Sequence, residues 1–324
     1  MENIVLYDWV SITSKIHTPS EIISLLGLEN VPWDTVKGAH GYLDRYYWNC
    51  ISIHFNGSPE MGVWLELSGQ GCRAFESVGH GDYDFLFQLV KDNPNDMKIT
   101  RLDIAFDDHT GILDMPILIS DTLVGNYVSK ANSWEVVQSN KGTCVVIGSR
   151  QSPVLIRIYD KAAERNIVDG SHWIRVELQL RDSRCLEFVL QPYDVGETFA
   201  GVILNYLRYV VPDLSDTNKW RWSLTDYWAD LVGSACAISI YKKPGLEYNL
   251  SNCEDYVYKQ AGNAINALLQ IYDVETFLVK LRSRKVRMNP KYKQLVDKYK
   301  VVVSNEEQQH APSDGAAVPC PANV

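Results

Sequence analysis

Between residues 51 and 181 apolar and polar side chains mostly alternate, the pattern of strands with one buried and one polar face. The clearest runs are 51–55, 62–67, 99–106, 144–147, 154–160 and 173–180. Helical spacing interrupts them at 84–91 and 113–127, and Thr18-Pro19-Ser20-Glu21 before Ile22-Ile23-Ser24-Leu25-Leu26 reads as the capped start of a first helix. Past Arg181 the period changes. Segments 199–210, 223–233, 252–272 and 273–284 carry apolar residues three and four positions apart, the spacing of amphipathic helices. Residues 304–324, rich in Pro, Ala, Gln and Asn, predict a disordered tail. The expected fold is therefore α+β. An antiparallel-rich sheet with packed helices occupies 1–185, and a mainly helical domain packed on it occupies 186–303.

Three of the strands carry chemistry on their polar face. In Ile99–Asp107, Leu102, Ile104 and Phe106 point one way, and Arg101, Asp103 and Asp107 the other. In 154–161, Val154, Ile156 and Ile158 oppose Arg157, Tyr159 and Lys161. In 173–181, Ile174, Val176, Leu178 and Leu180 oppose Arg175, Glu177, Gln179 and Arg181. Each strand alone reads more readily as an ordinary solvated face, and the three together favour a shared site. Neighbours in one sheet would pool carboxylates, arginines, a lysine and a tyrosine on a single surface. Hard oxygen donors of this kind suit Mg²⁺ or Mn²⁺. A tyrosine beside a metal and cations suits phosphoryl transfer, with the phenolate attacking and the metal polarising the phosphate.

Composition refines this. The chain has 324 residues, 46% of them hydrophobic, enough for a sizeable core, and no apolar run of membrane-spanning length. The N-terminus shows no secretory signal pattern, and seven scattered cysteines without a CxxC pair point to a reducing, cytoplasmic setting. Cys144, in an apolar strand pattern, is expected in the core. A net charge of −9 speaks against nucleic acid, but its distribution speaks for it. From Glu275 to Lys300 there are nine Lys or Arg and two acids, so the run 280–300, with Lys280, Arg282, Arg284, Lys285 and Arg287 at its head, is a candidate DNA-binding segment.

The residues also resemble a known family. Thr100-Arg101-Leu102-Asp103-Ile104-Ala105-Phe106-Asp107-Asp108, Ile147-Gly148-Ser149-Arg150-Gln151-Ser152, Arg157-Ile158-Tyr159-Asp160-Lys161 with Glu164, and Arg175-Val176-Glu177-Leu178 resemble the replication initiation factor family in the right order. Glu66-Leu67-Ser68-Gly69-Gln70-Gly71-Cys72-Arg73 is similar to a further segment of its phage-type members. The resemblance implies an initiator of rolling-circle replication that nicks and joins one DNA strand through a 5′-phosphotyrosine. A conjugative relaxase with the same chemistry is the alternative, and a non-catalytic DNA-binding regulator the rival of another class. It implies Tyr159 as nucleophile, Asp103 and Glu177 as metal-holding acids, Asp107 on a looser match and Glu66 as a speculative fourth. Arg157 and Lys161 would clamp the scissile phosphate, Lys161 also lowering the tyrosine's pKa, although Arg157 pairs equally well with an acid on a neighbouring strand. Arg101, Arg150 and Arg175 are further candidates for DNA contact. The expected partners are duplex and single-stranded origin DNA, a second copy of the chain, a host helicase and a host polymerase, with no membrane.

Two remaining features are neutral or negative. No His-hydrophobic-His pair exists among the seven histidines, which excludes the histidine-ligated class of nicking enzymes. Gly142, Gly148-Ser149-Arg150 and Ser68-Gly69-Gln70-Gly71 lack the phosphate-loop lysine and read as turns, which is why a helicase must be recruited. The aromatic residues of 206–228 are read mainly as packing between helices and sheet, with base stacking as the alternative.

Overall fold

A computed structural model describes residues 2–240, 253–254, 256–283, 292–293 and 296. It divides the chain into two compact units, 1–242 and 243–324. The first unit is organised on a ten-stranded sheet in the order β2-β3-β4-β5-β1-β6-β11-β10-β9-β8, with every pairing antiparallel.

The chain enters through the middle. β1 (Ile4–Ser14) pairs with both β5 and β6. α1 (Pro19–Leu26) follows, and its start is the expected capping box. Thr18 Oγ1 accepts from the Glu21 amide at 3.3 Å while Glu21 Oε2 accepts from the Thr18 amide at 2.7 Å. A meander of β2 (Asp34–Lys37), β3 (Asp44–Trp48), β4 (Ile51–Phe55) and β5 (Val63–Ser68) leads back to β1. Then come α2 (Gln70–Ser77), α3 (Tyr83–Asp92) and the long β6 (Met97–Asp108). The glycine-rich Ser68–Gly71 is thus a turn only at Gly69, and Gln70 already begins α2. Gly71 is required there, since a Cβ would come 2.3 Å from the Cys50 carbonyl oxygen.

The segment 113–127 is not one helix. α4 (Met115–Val124), capped by Asp114, stops at Gly125 with φ of 79°, and the chain continues as β7 (Tyr127–Ser129). β8 (Trp134–Ser139), β9 (Gly142–Ile147) and β10 (Val154–Asp160) form the far edge. The short α5 (Lys161–Glu164) then returns the chain to β11 (Ile174–Arg181), between β10 and β6. α6 (Ser183–Val189) and α7 (Val195–Tyr206) follow. The helical pattern of 199–210 ends at Tyr206, because Leu207–Tyr209 is strand β12, paired with β7. Short apolar runs do not distinguish the two states by period alone.

α8 (Asp226–Val232) closes the layer. Phe188, Phe199, Val202, Ile203 and Trp228 from α6, α7 and α8 join one core with Leu102, Ile104, Val176 and Leu178 of the sheet, so these helices beyond residue 185 share the sheet's core. Tyr209 and Trp228, from the aromatic stretch, are fully buried in it. In the second unit the described helices are a π-helical turn at Tyr256–Ala261, α9 (Gly262–Ile271) and α10 (Val274–Ser283). The predicted tail at 304–324 lies outside the described residues, as do Arg284, Lys285 and Arg287. Among the described residues no helix is long and apolar enough to cross a membrane.

Candidate nicking site

The three strands singled out by their polar faces are adjacent in the sheet, in the order β6-β11-β10. Register aligns them closely: Arg175 lies between Asp107 and Tyr159, Glu177 between Ala105 and Arg157, and Gln179 between Asp103 and Leu155. Antiparallel partners project to the same side, so Asp103 and Glu177 are diagonal neighbours on one surface. The opposite face of the same strands is apolar except for Asp108 and Asp160 beside Ile174, and lies against the helices.

Glu177 is the hub, only 2% exposed. Its Oε1 accepts from Arg157 Nη2 and its Oε2 from the Tyr159 hydroxyl at 3.1 Å. Lys161 Nζ lies 3.4 Å from that hydroxyl and is ion-paired with Glu164. Arg157 thus takes the pairing role that the sequence left open. Burial raises the tyrosine's pKa, Glu177 raises it further, and Arg175 and Arg157 act the other way. The expected lowering by Lys161 is not what the geometry gives, since Glu164 engages the ammonium and burial dominates. Tyr159 is therefore protonated at neutral pH, with a carboxylate oxygen in place to take the proton.

Asp103 is equally buried. It accepts from Arg101 Nε and Nη2 at 3.0 and 2.6 Å, and Gln179 lies against both. Burial pushes its carboxyl up to about 6, Arg101 pulls it down, and the nearby Glu177 pushes it up again. Asp107 is held differently. Both of its oxygens accept from Arg175, at 2.6 and 2.7 Å, and Arg175 Nη1 also reaches Asp8 Oδ2 at 2.9 Å. Arg175 is 4% exposed and organises two acids instead of reaching outward. Arg150 sits exposed in the turn between β9 and β10. Lys280 and Arg282 lie exposed on α10 in the second unit.

Two features escaped the sequence reading. Asp8 belongs to β1, where the register slips between Tyr7 and Trp9, and this bulge turns Asp8 onto the polar face. Cys144, expected in the core, is half-buried opposite Tyr159 on the polar face, because β9 places Val145 and Ile147 inward.

Among the described residues no three His, Cys, Asp or Glu side chains converge into a metal-holding group. The donor chemistry still fits Mg²⁺ or Mn²⁺. Such ions are commonly held by one or two carboxylates, with water and substrate phosphate completing the shell. Asp103 and Glu177 meet that minimum, and the repulsion between them is what a cation would relieve. Asp103, Glu177 and Asp107 each have both oxygens engaged by neighbouring arginine or tyrosine groups, which a bound cation would have to share, while Glu66 lies four strands from Tyr159 in the sheet order.

Residues 97–282 match the family described as replication initiation factor, and residues 4–91 match the rolling-circle replication initiation protein N-terminal domain. A Bacillus subtilis (strain 168) protein named "Putative DNA relaxase NicK" is 26% identical over 266 residues, 75% of this chain and 74% of its own. The structure of a rolling-circle replication initiator protein from Geobacillus stearothermophilus superposes with a TM-score of 0.65 at 24% identity. It covers 75% of this chain and 100% of that one, and shares its fold. With the first match spanning more than half of its length, the chain belongs to the replication initiation factor family.

Proposed function

We propose that this protein nicks one strand of origin DNA with Tyr159 and holds the 5′ end as a phosphotyrosine, so that the freed 3′-hydroxyl primes synthesis. The observation that carries the reading is the hydrogen bond from the Tyr159 hydroxyl to the buried Glu177, on a face that also presents Asp103, Arg157 and Lys161. In the step itself the tyrosine oxygen attacks phosphorus and the bond from phosphorus to the 3′ oxygen breaks. The tyrosine's proton passes to Glu177, and the leaving oxygen takes a proton from water. A divalent cation held by Asp103 and Glu177 would polarise the phosphate and offset its charge. Arg157 and Lys161 orient the phosphate beside the tyrosine. A rejoining step by the reverse chemistry completes the cycle, with a host helicase and polymerase acting between.

The relaxase reading, in which the same nick serves conjugative transfer, is favoured by the relaxase name of the Bacillus relative. Both require the same test. Incubation with supercoiled candidate-origin DNA and Mn²⁺ should yield open circles carrying protein on the 5′ end, removable only by protease. Open circles without attached protein would point to a hydrolytic nuclease, and intact circles to a regulator that binds without cutting.

A further inference from the structure

The polar face does not stop at the nicking site. Across β1, β5, β4 and β3 it changes character, from carboxylates bolted to arginines into aromatic rings interleaved with cations. The Arg101 guanidinium lies 3.9 Å from the centroid of the Trp9 ring. Trp64 stacks on His54 with centroids 4.4 Å apart and planes 18° from parallel, and its Nε1 donates to Ser11 Oγ at 2.5 Å. Arg45 lies 5.3 Å from the centroid of the Tyr47 ring and has no ion-pair partner among the described residues. Trp9, Arg45, Tyr47 and Trp64 are all only partly buried.

We propose that this strip is a single-stranded DNA platform, on which bases 10–30 Å from the nick stack against Trp9, Trp64 and Tyr47 while Arg45 and Arg101 accompany the phosphates, the range following from a strand spacing of roughly 4.8 Å. It rests on the reading of DNA as the substrate of the adjoining site. Three observations carry it. First, the rings share one sheet surface with Tyr159: Trp9 is opposite Asp103, and Trp64 lies one strand beyond β1. A strand leaving the nicking site across β11 and β6 therefore meets Trp9 without leaving that surface.

Second, these rings stay part-exposed, with guanidinium groups over Trp9 and Tyr47. Stacking rings with cations between them are what a flexible polyanion with planar bases needs. Third, Trp9 Nε1, Arg45 Nε and His54 Nδ1 are buried atoms with no hydrogen-bond partner. Each is a polar group that the folded chain leaves unsatisfied among the residues of this strip. His54 is held neutral at ordinary pH by burial and by Arg45 and His40, so the strip's positive charge resides in its arginines. Glu66, the acid among these residues, is opposed across the strands by Ser11 and Ser52 and feels both Arg101 and Arg45.

The test uses the full chain carrying Tyr159→Phe, without metal, and a labelled thymidine oligonucleotide of about 16 residues, the upper end of common site sizes. Trp64→Leu should weaken binding roughly tenfold, while Trp64→Phe keeps most of it, as expected for loss and retention of one stacking ring. Arg45→Gln should lower the slope of log affinity against log salt by about 0.7, the increment for one phosphate on a single strand. If Trp64→Leu fails to fold, the Arg45→Gln slope decides alone, since no ion pair is lost with it. Parental affinity and slope in folded Trp64→Leu and Arg45→Gln overturn the platform. Because no nicking is measured, misassignment of Tyr159 would show in covalent-adduct assays and leave this result standing.

Discussion

One sheet carries two faces that obey different rules. On the helix side, positions such as Leu102, Ile104, Val176, Leu178, Ile156 and Ile158 are fully or almost fully buried and apolar. Their contribution is stability, and apolar side chains of similar volume would serve nearly as well. On the other side Asp103, Glu177, Arg175 and Lys161 are nearly as buried, yet each is charged and partnered. Burying charges costs free energy that pairing only partly repays, so this face is not there for stability. Parity along a strand thus separates the residues that make the fold from those to which the chemistry is assigned by proposal.

The sharpest way to break that division is Tyr159→Phe. Losing one hydroxyl from the polar face should abolish the covalent protein–DNA species, while the melting temperature and duplex affinity stay near the parent values. Gel analysis of the adduct beside thermal melting reads both, and wild-type adduct in this variant would move the nucleophile elsewhere. Next in size, Asp103→Asn and Glu177→Gln should each slow nicking by about a hundredfold or more, the scale of losing a charge at a phosphoryl-transfer site. Normal single-turnover rates for both at limiting Mn²⁺ would remove these acids from the chemistry. The converse substitution lies one residue from Asp103. Ile104→Ala should cost about 2–5 kcal/mol of stability through its cavity while leaving the nicking rate per folded molecule intact. Denaturant unfolding paired with activity at low temperature checks it.

How legible this was follows from the same parity. On β6 from Leu102 to Phe106, on β10 from Val154 to Ile158 and on β11 from Ile174 to Leu180 every second residue is apolar, so the pattern assigns the faces and Tyr159, Asp103 and Glu177 fall together. What period two cannot supply is which strands become neighbours, or where the alternation slips. β1 is the central example. Its bulge puts Asp8 and Trp9 in succession where a regular strand would alternate, so neither the strand nor the Asp8–Arg175 pair could be read from spacing. Ion pairing was also hidden. Nothing in the sequence distinguishes an arginine that reaches phosphate from Arg175, which register places between Asp107 and Tyr159. The family match was carried by short motifs around residues that register brings to one face, which is why it survived an incomplete list of strands.

A smaller effect concerns pH. Asp103 titrates near 6 in the folded chain, above the value of about 4 expected when unfolded. The folded state therefore holds its proton longer, and this group's contribution to stability falls as pH rises from about 4 to about 6. A cation bound beside Asp103 offsets that loss only where the carboxyl is ionised. Mn²⁺ should accordingly raise the melting temperature by a few degrees at pH 7.5 and by much less at pH 5, on the usual scale of about 2–4 °C per kcal/mol for a unit of this size. Equal shifts at both pH values would place the ion away from Asp103.

The smallest expected effect lies outside the sheet and asks whether the polar face does all the DNA binding. Lys280 and Arg282 are exposed on α10, and Lys280 Nζ lies 4.7 Å from the centroid of the Tyr272 ring. Two residues apart on a helix, they project in different directions, so a duplex bound along this helix is expected to meet one or both. Replacing both with Gln should flatten the salt dependence of duplex binding by a slope of about one to two, equally across DNA sequences, because point charges position a duplex without reading its bases. Nicking of single-stranded origin, which draws on the sheet, should be nearly unchanged. An unchanged slope would make this helix a solvated surface and return duplex recognition to the first unit, where the exposed Arg150 in the β9–β10 turn is the next cation to neutralise.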